Sequence, residues 1–97
     1  MMKICDNLDE VRQEIDGIDA QIIALIAARE KFVLQAAKFK KDTDAVKAPN
    51  RVEQVIAKVK AKALDLEANP DVVEVVYRTM IDAFIQQELL AHKALKK

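Results

Sequence analysis

The chain has 97 residues, and its 16 basic and 16 acidic side chains cancel in net charge. This length supports one small domain, which we expect to span residues 1–97, and the balanced charge argues against a surface that binds nucleic acid or an acidic membrane. One glycine and two prolines leave little material for turns, while one cysteine and one histidine are too few ligands for a zinc site. No apolar run reaches the length of a membrane span and the first residues are too polar for a signal peptide, so we expect a cytoplasmic protein.

The first predicted helix is long, because between an N-cap at Asp6 and about Lys41 only Gly17 interrupts the helical pattern. Apolar residues recur along it at alternating steps of three and four, as in a seam that packs against another helix. This seam comprises Leu8, Val11, Ile15, Ile18, Ile22, Leu25, Phe32, Ala36 and Phe39. Arg29 occupies the one position of the series that is not apolar. Since a guanidinium remains charged, the chain must provide or bind an anion there.

The length of this helix predicts an assembly. Thirty-five helical residues extend over about 52 Å, whereas a compact domain of this size is about 32 Å across. The seam continues along the whole helix, so the part that extends beyond the domain needs a partner, and a second copy of the chain is the simplest one. We therefore predict an all-α fold of three helices, one of them very long, in an intertwined homodimer.

Two further helices follow. Residues 42–49 break the pattern, and a second helix is predicted from about Asn50 to Leu66. Its apolar face consists of Val52, Val55, Ile56, Val59, Ala63 and Leu66. Asn69 and Pro70 then provide an N-cap and a first helical residue for a third helix that runs almost to the end of the chain.

Charged residues share the apolar faces of these helices. Arg29 and Lys40 are eleven residues apart and therefore only about 20° apart around the first helix. Glu88 completes a stripe on the third helix, and Arg51 begins the second helix near its apolar edge. The other members of that stripe are Tyr77, Ile81, Phe84, Ala91 and Leu95.

Each of these residues also has a purely structural interpretation. Arg29 could pair with Glu88 as a buried salt bridge, and Lys40 could be solvated at a helix C-terminus, where lysine is favoured. Arg12 and Arg51 are of a kind more often found on the surface. His92 is expected to be exposed, and we assign it no role.

Together the cations predict a site for a small dicarboxylate, since each guanidinium can bind one carboxylate through two parallel hydrogen bonds. The sequence offers no Ser-His or Cys-His set, no glycine-rich phosphate loop and no metal constellation. The chemistry we expect is therefore the kind that is achieved by positioning and electrostatics alone.

Three segments of the sequence resemble the all-helical chorismate mutases: LDEVRQEIDGIDAQIIALIAAREKFVLQAAKFK, APNRVEQVI and FIQQELL. Two of the matching residues lie near opposite ends of the sequence. Arg12 matches an arginine that reaches into the partner subunit's site, and Glu88 matches a residue that hydrogen-bonds the substrate's ether oxygen. The substrate-binding cations of the family match Arg29, Lys40 and Arg51.

Two positions depart from the mutase pattern. Many mutases have acidic residues at the positions of Ala48 and Val52, and the APxRV pattern is closer to the isochorismate pyruvate lyase branch of the family. Glu88 fits that branch less well, because the matching residue in a known member is glutamine.

The resemblance implies a pericyclic reaction without a cofactor. Chorismate would be held in its diaxial form by Arg12 of the other chain together with Arg29 and Arg51. Lys40 and a protonated Glu88 would donate hydrogen bonds to the ether oxygen as the C–O bond breaks, giving prephenate. Isochorismate as substrate would instead give salicylate and pyruvate. A non-catalytic helical dimer that has kept the fold is a further alternative, and a nucleic-acid-binding domain is less favoured than either.

Overall fold

The computed structural model describes residues 2–95, apart from the side chains of Ala94 and Leu95. The described residues form four helices: α1 (Leu8–Ala37), α2 (Thr43–Lys47), α3 (Pro49–Asp65) and α4 (Pro70–Leu95). Three long helices and the absence of strands among residues 2–95 confirm the all-α prediction. Within this part of the chain, no helix has the length and apolarity that crossing a bilayer requires.

Contacts divide the chain after Phe32 into two compact units. The first unit contains the amino-terminal part of α1, whose first turn is capped by two side chains. Asn7 Oδ1 accepts a hydrogen bond from the Glu10 amide at 2.9 Å, and Glu10 Oε2 accepts one at 3.0 Å from the amide of Asp6, which precedes the N-cap. The predicted N-cap at Asp6 is therefore wrong by one residue, because Asn7 is the residue whose side chain reaches the N3 amide.

The apolar seam of α1 is exposed throughout this unit. Its side chains from Leu8 to Phe32 are between 39% and 70% exposed. Such a continuous apolar stripe is unusual on a soluble monomer's surface and is typical of a face that binds another chain. Among the seam positions, Arg29 is half-buried.

α1 ends at Ala37, earlier than the predicted end near Lys41. The amides of Lys38, Phe39 and Lys40 donate to carbonyls three residues back, at 3.1, 3.0 and 3.4 Å. This tighter hydrogen-bonding pattern closes the helix without glycine or proline. Lys40 thus lies beyond α1, so the prediction that it shares a helical face with Arg29 is wrong. Phe39, the last residue of the predicted seam, also lies beyond α1 and is 85% exposed.

In the second unit, α4 packs against α3 and α2. Its buried apolar core consists of Ala37, Val46, Ile56, Ala63 and Ile81. The apolar face predicted for α3 is buried or half-buried except at Leu66, which is 71% exposed. Leu66 is the C-cap of α3, and Glu67 then adopts a left-handed conformation with φ 61° that turns the chain out of the helix.

The stripe on α4 faces inward as predicted, with Ile81 and Glu88 buried and Tyr77, Phe84 and Ala91 half-buried, while the side chain of Leu95 lies outside the described residues. The predicted cap of α4 is confirmed, since Asn69 Oδ1 accepts from the Asp71 and Val72 amides at 2.9 and 3.4 Å. The cap sets where α4 begins, and the stripe places Glu88 on the side of α4 that faces the core of the second unit.

The segment predicted as a break contains the one-turn helix α2. Asp42 caps it by accepting a hydrogen bond from the Ala45 amide at 2.8 Å. Ala48 ends it in a left-handed conformation with φ 36°, and Pro49 begins α3 immediately afterwards. Since proline disfavours the α conformation in the residue before it, Ala48 is the point where the two helices must change direction.

Four side chains form an ion network on the surface between α3 and α4. Arg78 binds Glu53 through two hydrogen bonds of 2.9 Å and Glu74 through one of 2.8 Å, while Lys60 lies 2.8 Å from the other Glu74 oxygen. The hydrogen bond from Arg78 lowers the pKa of Glu53. Lys60, and then Arg78, lower the pKa of Glu74, while Glu74 raises the pKa of Lys60.

We expect this network to make stability fall in acid. Because the pKa values of Glu53 and Glu74 are lower in the folded chain than the ordinary 4.5, the network's contribution is present above that pH and is lost as pH falls through the folded values. The raised pKa of Lys60 keeps its contribution until pH rises above 10.5. Urea unfolding should be measured between pH 2 and 7 at intervals of about one pH unit. The free energy of unfolding should fall more steeply in acid for the wild type than for Arg78→Gln. Parallel curves would contradict this assignment.

Candidate active site

A buried ion pair joins the segment after α1 to α4. Lys40 Nζ lies 2.9 Å from Glu88 Oε1 and 2.7 Å from Glu88 Oε2. The Glu88 side chain is 3% exposed, whereas that of Lys40 is 27% exposed. An ionised carboxylate on an apolar stripe needs a partner to offset the lost hydration, and the Lys40 ammonium meets that need at both oxygens. The pair is therefore closed by protein on the Glu88 side and open to solvent on the Lys40 side.

His92 holds the backbone of the same lysine. Its Nε2 lies 2.7 Å from the Lys40 carbonyl oxygen, and the residue is 4% exposed. The expectation that His92 is exposed is wrong. It follows Glu88 by four residues, so both side chains project from one face of α4. The i, i+4 relation to Glu88 was visible in the sequence and could have indicated burial.

The other predicted site residues lie at different places in the chain. Arg51 is exposed in the first turn of α3, in the same unit as Lys40 and Glu88. Arg12 and Arg29 belong to the first unit, where Arg12 is exposed and Arg29 is half-buried. Lys40 and Glu88 are thus brought into contact, while the participation of the three arginines in one site stays a prediction.

The two positions that depart from the mutase pattern, Ala48 and Val52, lie at the start of α3. Ala48 is the left-handed junction between α2 and α3, with its amide donating to the Asp44 carbonyl at 2.9 Å. Val52 is half-buried on the apolar face of α3, and its amide donates to the Ala48 carbonyl at 3.1 Å. An acidic side chain at position 52 would therefore replace an apolar contact of α3.

A groove of about 490 Å³ is lined by residues of α2 and α4, His92 among them. Its lining consists of Thr43, Lys47, Leu89, Leu90, His92 and Lys93. Neither Lys40 nor Glu88 lines it, so the groove is separate from the ion pair. Among the described residues, no group of three or more His, Cys, Asp or Glu side chains is arranged to hold a metal ion.

The Lys40–Glu88 pair can stabilise negative charge on a bound molecule. The Lys40 ammonium has three N–H donors, of which two are directed at Glu88, so one remains for a ligand approaching from the exposed side. Glu88 can donate a hydrogen bond only after it takes up a proton, since a carboxylate is an acceptor. An all-helical chain with a fixed cation of this kind fits an enzyme that works by electrostatic stabilisation.

Comparison with known proteins agrees with this class. A profile of the chorismate mutase type II family matches residues 11–89, and the chain belongs to that family. The chain is also similar to the isochorismate pyruvate lyase of Pseudomonas aeruginosa, with 27% identity over 85 residues that cover 88% of this chain and 84% of that protein. Both findings indicate an enzyme of the chorismate mutase and isochorismate pyruvate lyase kind.

Proposed function

We propose that the chain is a chorismate mutase that converts chorismate to prephenate without a cofactor. The observation that carries this proposal is the buried pair of Lys40 and Glu88, with Lys40 Nζ 2.7 and 2.9 Å from the two carboxylate oxygens. The pair lies within the region that matches the chorismate mutase type II family. It provides a fixed cation and a carboxyl group at the positions where the family resemblance expects contacts to the substrate's ether oxygen.

In the proposed reaction, the C–O bond of the enolpyruvyl ether breaks while a C–C bond forms within the same molecule. No atom is gained or lost, and the ether oxygen acquires negative charge in the transition state. Lys40 donates a hydrogen bond to that oxygen, where the charge is greatest, so the interaction is stronger in the transition state than in the bound substrate. Glu88 can donate a second one only in its protonated form, in which one of the two carboxyl oxygens that now accept from Lys40 carries the hydrogen.

The two carboxylates of the substrate require cations to bind them. Following the family resemblance, we assign this role to Arg29 and Arg51 of one chain and to Arg12 of a second chain. Arginine suits this task, because its planar guanidinium binds a carboxylate through two parallel hydrogen bonds and remains charged throughout the pH range. Holding both carboxylates keeps chorismate in the compact conformation from which the new bond can form.

The shared site requires a homodimer, and we propose one that is built on α1. The exposed seam from Leu8 to Phe32 supports it, since these side chains are 39% to 70% exposed in the isolated chain. α1 has 30 residues and is therefore about 45 Å long. A second copy of the same helix offers a matching apolar stripe, as expected for an interface related by two-fold symmetry.

The donor role of Glu88 predicts the effect of replacing it with glutamine. An ionised Glu88 would repel the ether oxygen and the substrate's carboxylates, so the role requires a neutral donor at this position. Glu88→Gln keeps nearly the same shape and a permanent neutral donor, so it should retain mutase activity. The measurement is kcat for chorismate in both proteins, with a solvent-viscosity control to show that chemistry limits the rate. Loss of mutase activity in folded Glu88→Gln would contradict the donor role.

Isochorismate pyruvate lyase is the second candidate, because a protein of that name from Pseudomonas aeruginosa is 27% identical over 88% of this chain. The same cations would orient the enolpyruvyl group of isochorismate for hydrogen transfer, which gives salicylate and pyruvate. Glu88 favours the mutase, since the matching residue in a known member of the lyase branch is glutamine.

A direct test incubates the purified protein with chorismate, in the presence and absence of EDTA, and identifies the product. We expect prephenate at the same rate in both, and we expect Arg78→Gln, which alters only the surface network, to behave as the wild type. Failure of the wild type to form prephenate would contradict the proposed function.

A further inference from the structure

We propose that His92 is a positioning residue that fixes Lys40 for catalysis by holding its backbone. The inference deepens the proposed function and rests on it. His92 lies four residues beyond Glu88 on α4, and the two side chains hold opposite ends of one residue. Glu88 accepts from the Lys40 ammonium at 2.7 and 2.9 Å, and His92 Nε2 lies 2.7 Å from the Lys40 carbonyl oxygen.

The hydrogen bond requires a hydrogen on Nε2 of His92. A carbonyl oxygen accepts and cannot donate, so Nε2 must carry a hydrogen and donate it to Lys40. His92 is 4% exposed, and its hydrogen bond to the Lys40 carbonyl is part-buried, so water has limited access to replace this bond. A carbonyl shielded from water that loses its donor is left unsatisfied, and the segment that carries it must then move to find another.

Lys40 needs such support because it lies outside regular secondary structure. α1 ends at Ala37, and α2 begins only at Thr43. A lysine side chain has four rotatable bonds, so the Glu88 contact by itself does not fix the Lys40 backbone, whose amide is tied to the Ala37 carbonyl by a long hydrogen bond of 3.4 Å. Fixing the carbonyl as well restricts Lys40 at both ends, and therefore fixes the direction of the donor that remains for the substrate.

This arrangement predicts which kinetic constant changes. The Lys40 donor acts on charge that develops in the transition state, so a displaced Lys40 lowers kcat more than it raises KM. A displacement of about 1 Å at a catalytic group can reduce the rate by about 100-fold. A histidine that served folding alone would lower the unfolding midpoint and leave kcat per folded molecule unchanged.

The test compares His92→Gln with His92→Met, two side chains of similar length and shape. The Gln amide places an N–H donor near the position of Nε2, whereas Met has none. We expect kcat for chorismate to fall by about 10- to 100-fold in His92→Met with KM changed by less than about 3-fold, and to stay within about 3-fold of wild type in His92→Gln. Equal kcat in both variants would overturn the proposal.

Two controls separate this proposal from its alternatives. Ala63→Gly, at a buried position on α3, should lower the unfolding midpoint without changing kcat per folded molecule. Nitrogen-15 spectra of the His92 ring in the wild type should show a hydrogen on Nε2, and an unprotonated Nε2 would overturn the proposal even if neither variant folds. Wild-type protein that is inactive on chorismate but has a protonated Nε2 would contradict the proposed function and leave the His92–Lys40 contact intact.

Discussion

Lys40→Met should lower kcat for chorismate by about 10²- to 10³-fold, the effect of removing one preorganised donor from a developing negative charge. Methionine keeps an unbranched apolar stem and removes the ammonium that lies 2.7 and 2.9 Å from the Glu88 oxygens. KM should change much less, because the arginines that we assign to the carboxylates are untouched. Steady-state kinetics on the folded protein are the measurement.

A matched control is available on the surface. Lys60→Met removes an ammonium of the same kind that pairs with Glu74 outside the candidate site. Its kcat should remain within about 2-fold of wild type, since it contributes no donor to the reaction. A comparable loss in Lys60→Met, or wild-type kcat in Lys40→Met, would contradict the assignment of Lys40.

The same substitution tests the energetics of the pair. Because Glu88 is almost completely buried, Lys40→Met leaves a carboxylate without a partner and should lower the free energy of unfolding by about 3 kcal/mol at neutral pH. Adding Glu88→Gln removes the charge and should recover most of that loss, whereas kcat should not recover. Urea unfolding of the single and double variants measures the coupling.

Mixed dimers should show the second large effect. If Arg12 of one chain completes the site of the other, a heterodimer of Arg12→Ala and Lys40→Met has one intact site and one that lacks both residues. Each parent homodimer is inactive, while the isolated heterodimer should have about half of wild-type activity, as two-fold symmetry requires. Two different affinity tags allow the heterodimer to be purified.

The control for this experiment is a heterodimer of Lys40→Met and Glu88→Leu. Lys40 and Glu88 contact each other within one chain, so each site of this heterodimer lacks one of the two residues. No activity should be recovered. Recovery in this control, or its absence in the Arg12→Ala heterodimer, would contradict the shared site.

Much of the fold follows from local patterns that the sequence displays directly. The apolar spacing and the Asn69–Pro70 signal placed α4 correctly, and the proline at 49 marks the start of α3. The end of α1 could not be predicted in the same way. It depends on i−3 hydrogen bonds at residues 38–40 and on contacts of Lys40 with α4, which join residues about 50 positions apart.

The candidate site could also be predicted only in part, because some of its contacts join distant segments. Glu88 on an apolar stripe indicated a buried charge, and burial of a charge requires a partner. The sequence indicated Arg29 as a possible partner, and the contact with Lys40 depends on where α1 ends. His92 was misjudged because a histidine late in a helix is commonly solvated, and the carbonyl that it binds belongs to a distant segment.

The most direct test of the proposed function is the ratio of kcat/KM for chorismate and isochorismate, measured on one preparation of the protein with both products identified. The proposed mutase function predicts the larger value for chorismate, with prephenate as the product. A larger value for isochorismate, with release of salicylate and pyruvate, would contradict the mutase assignment and establish the lyase instead.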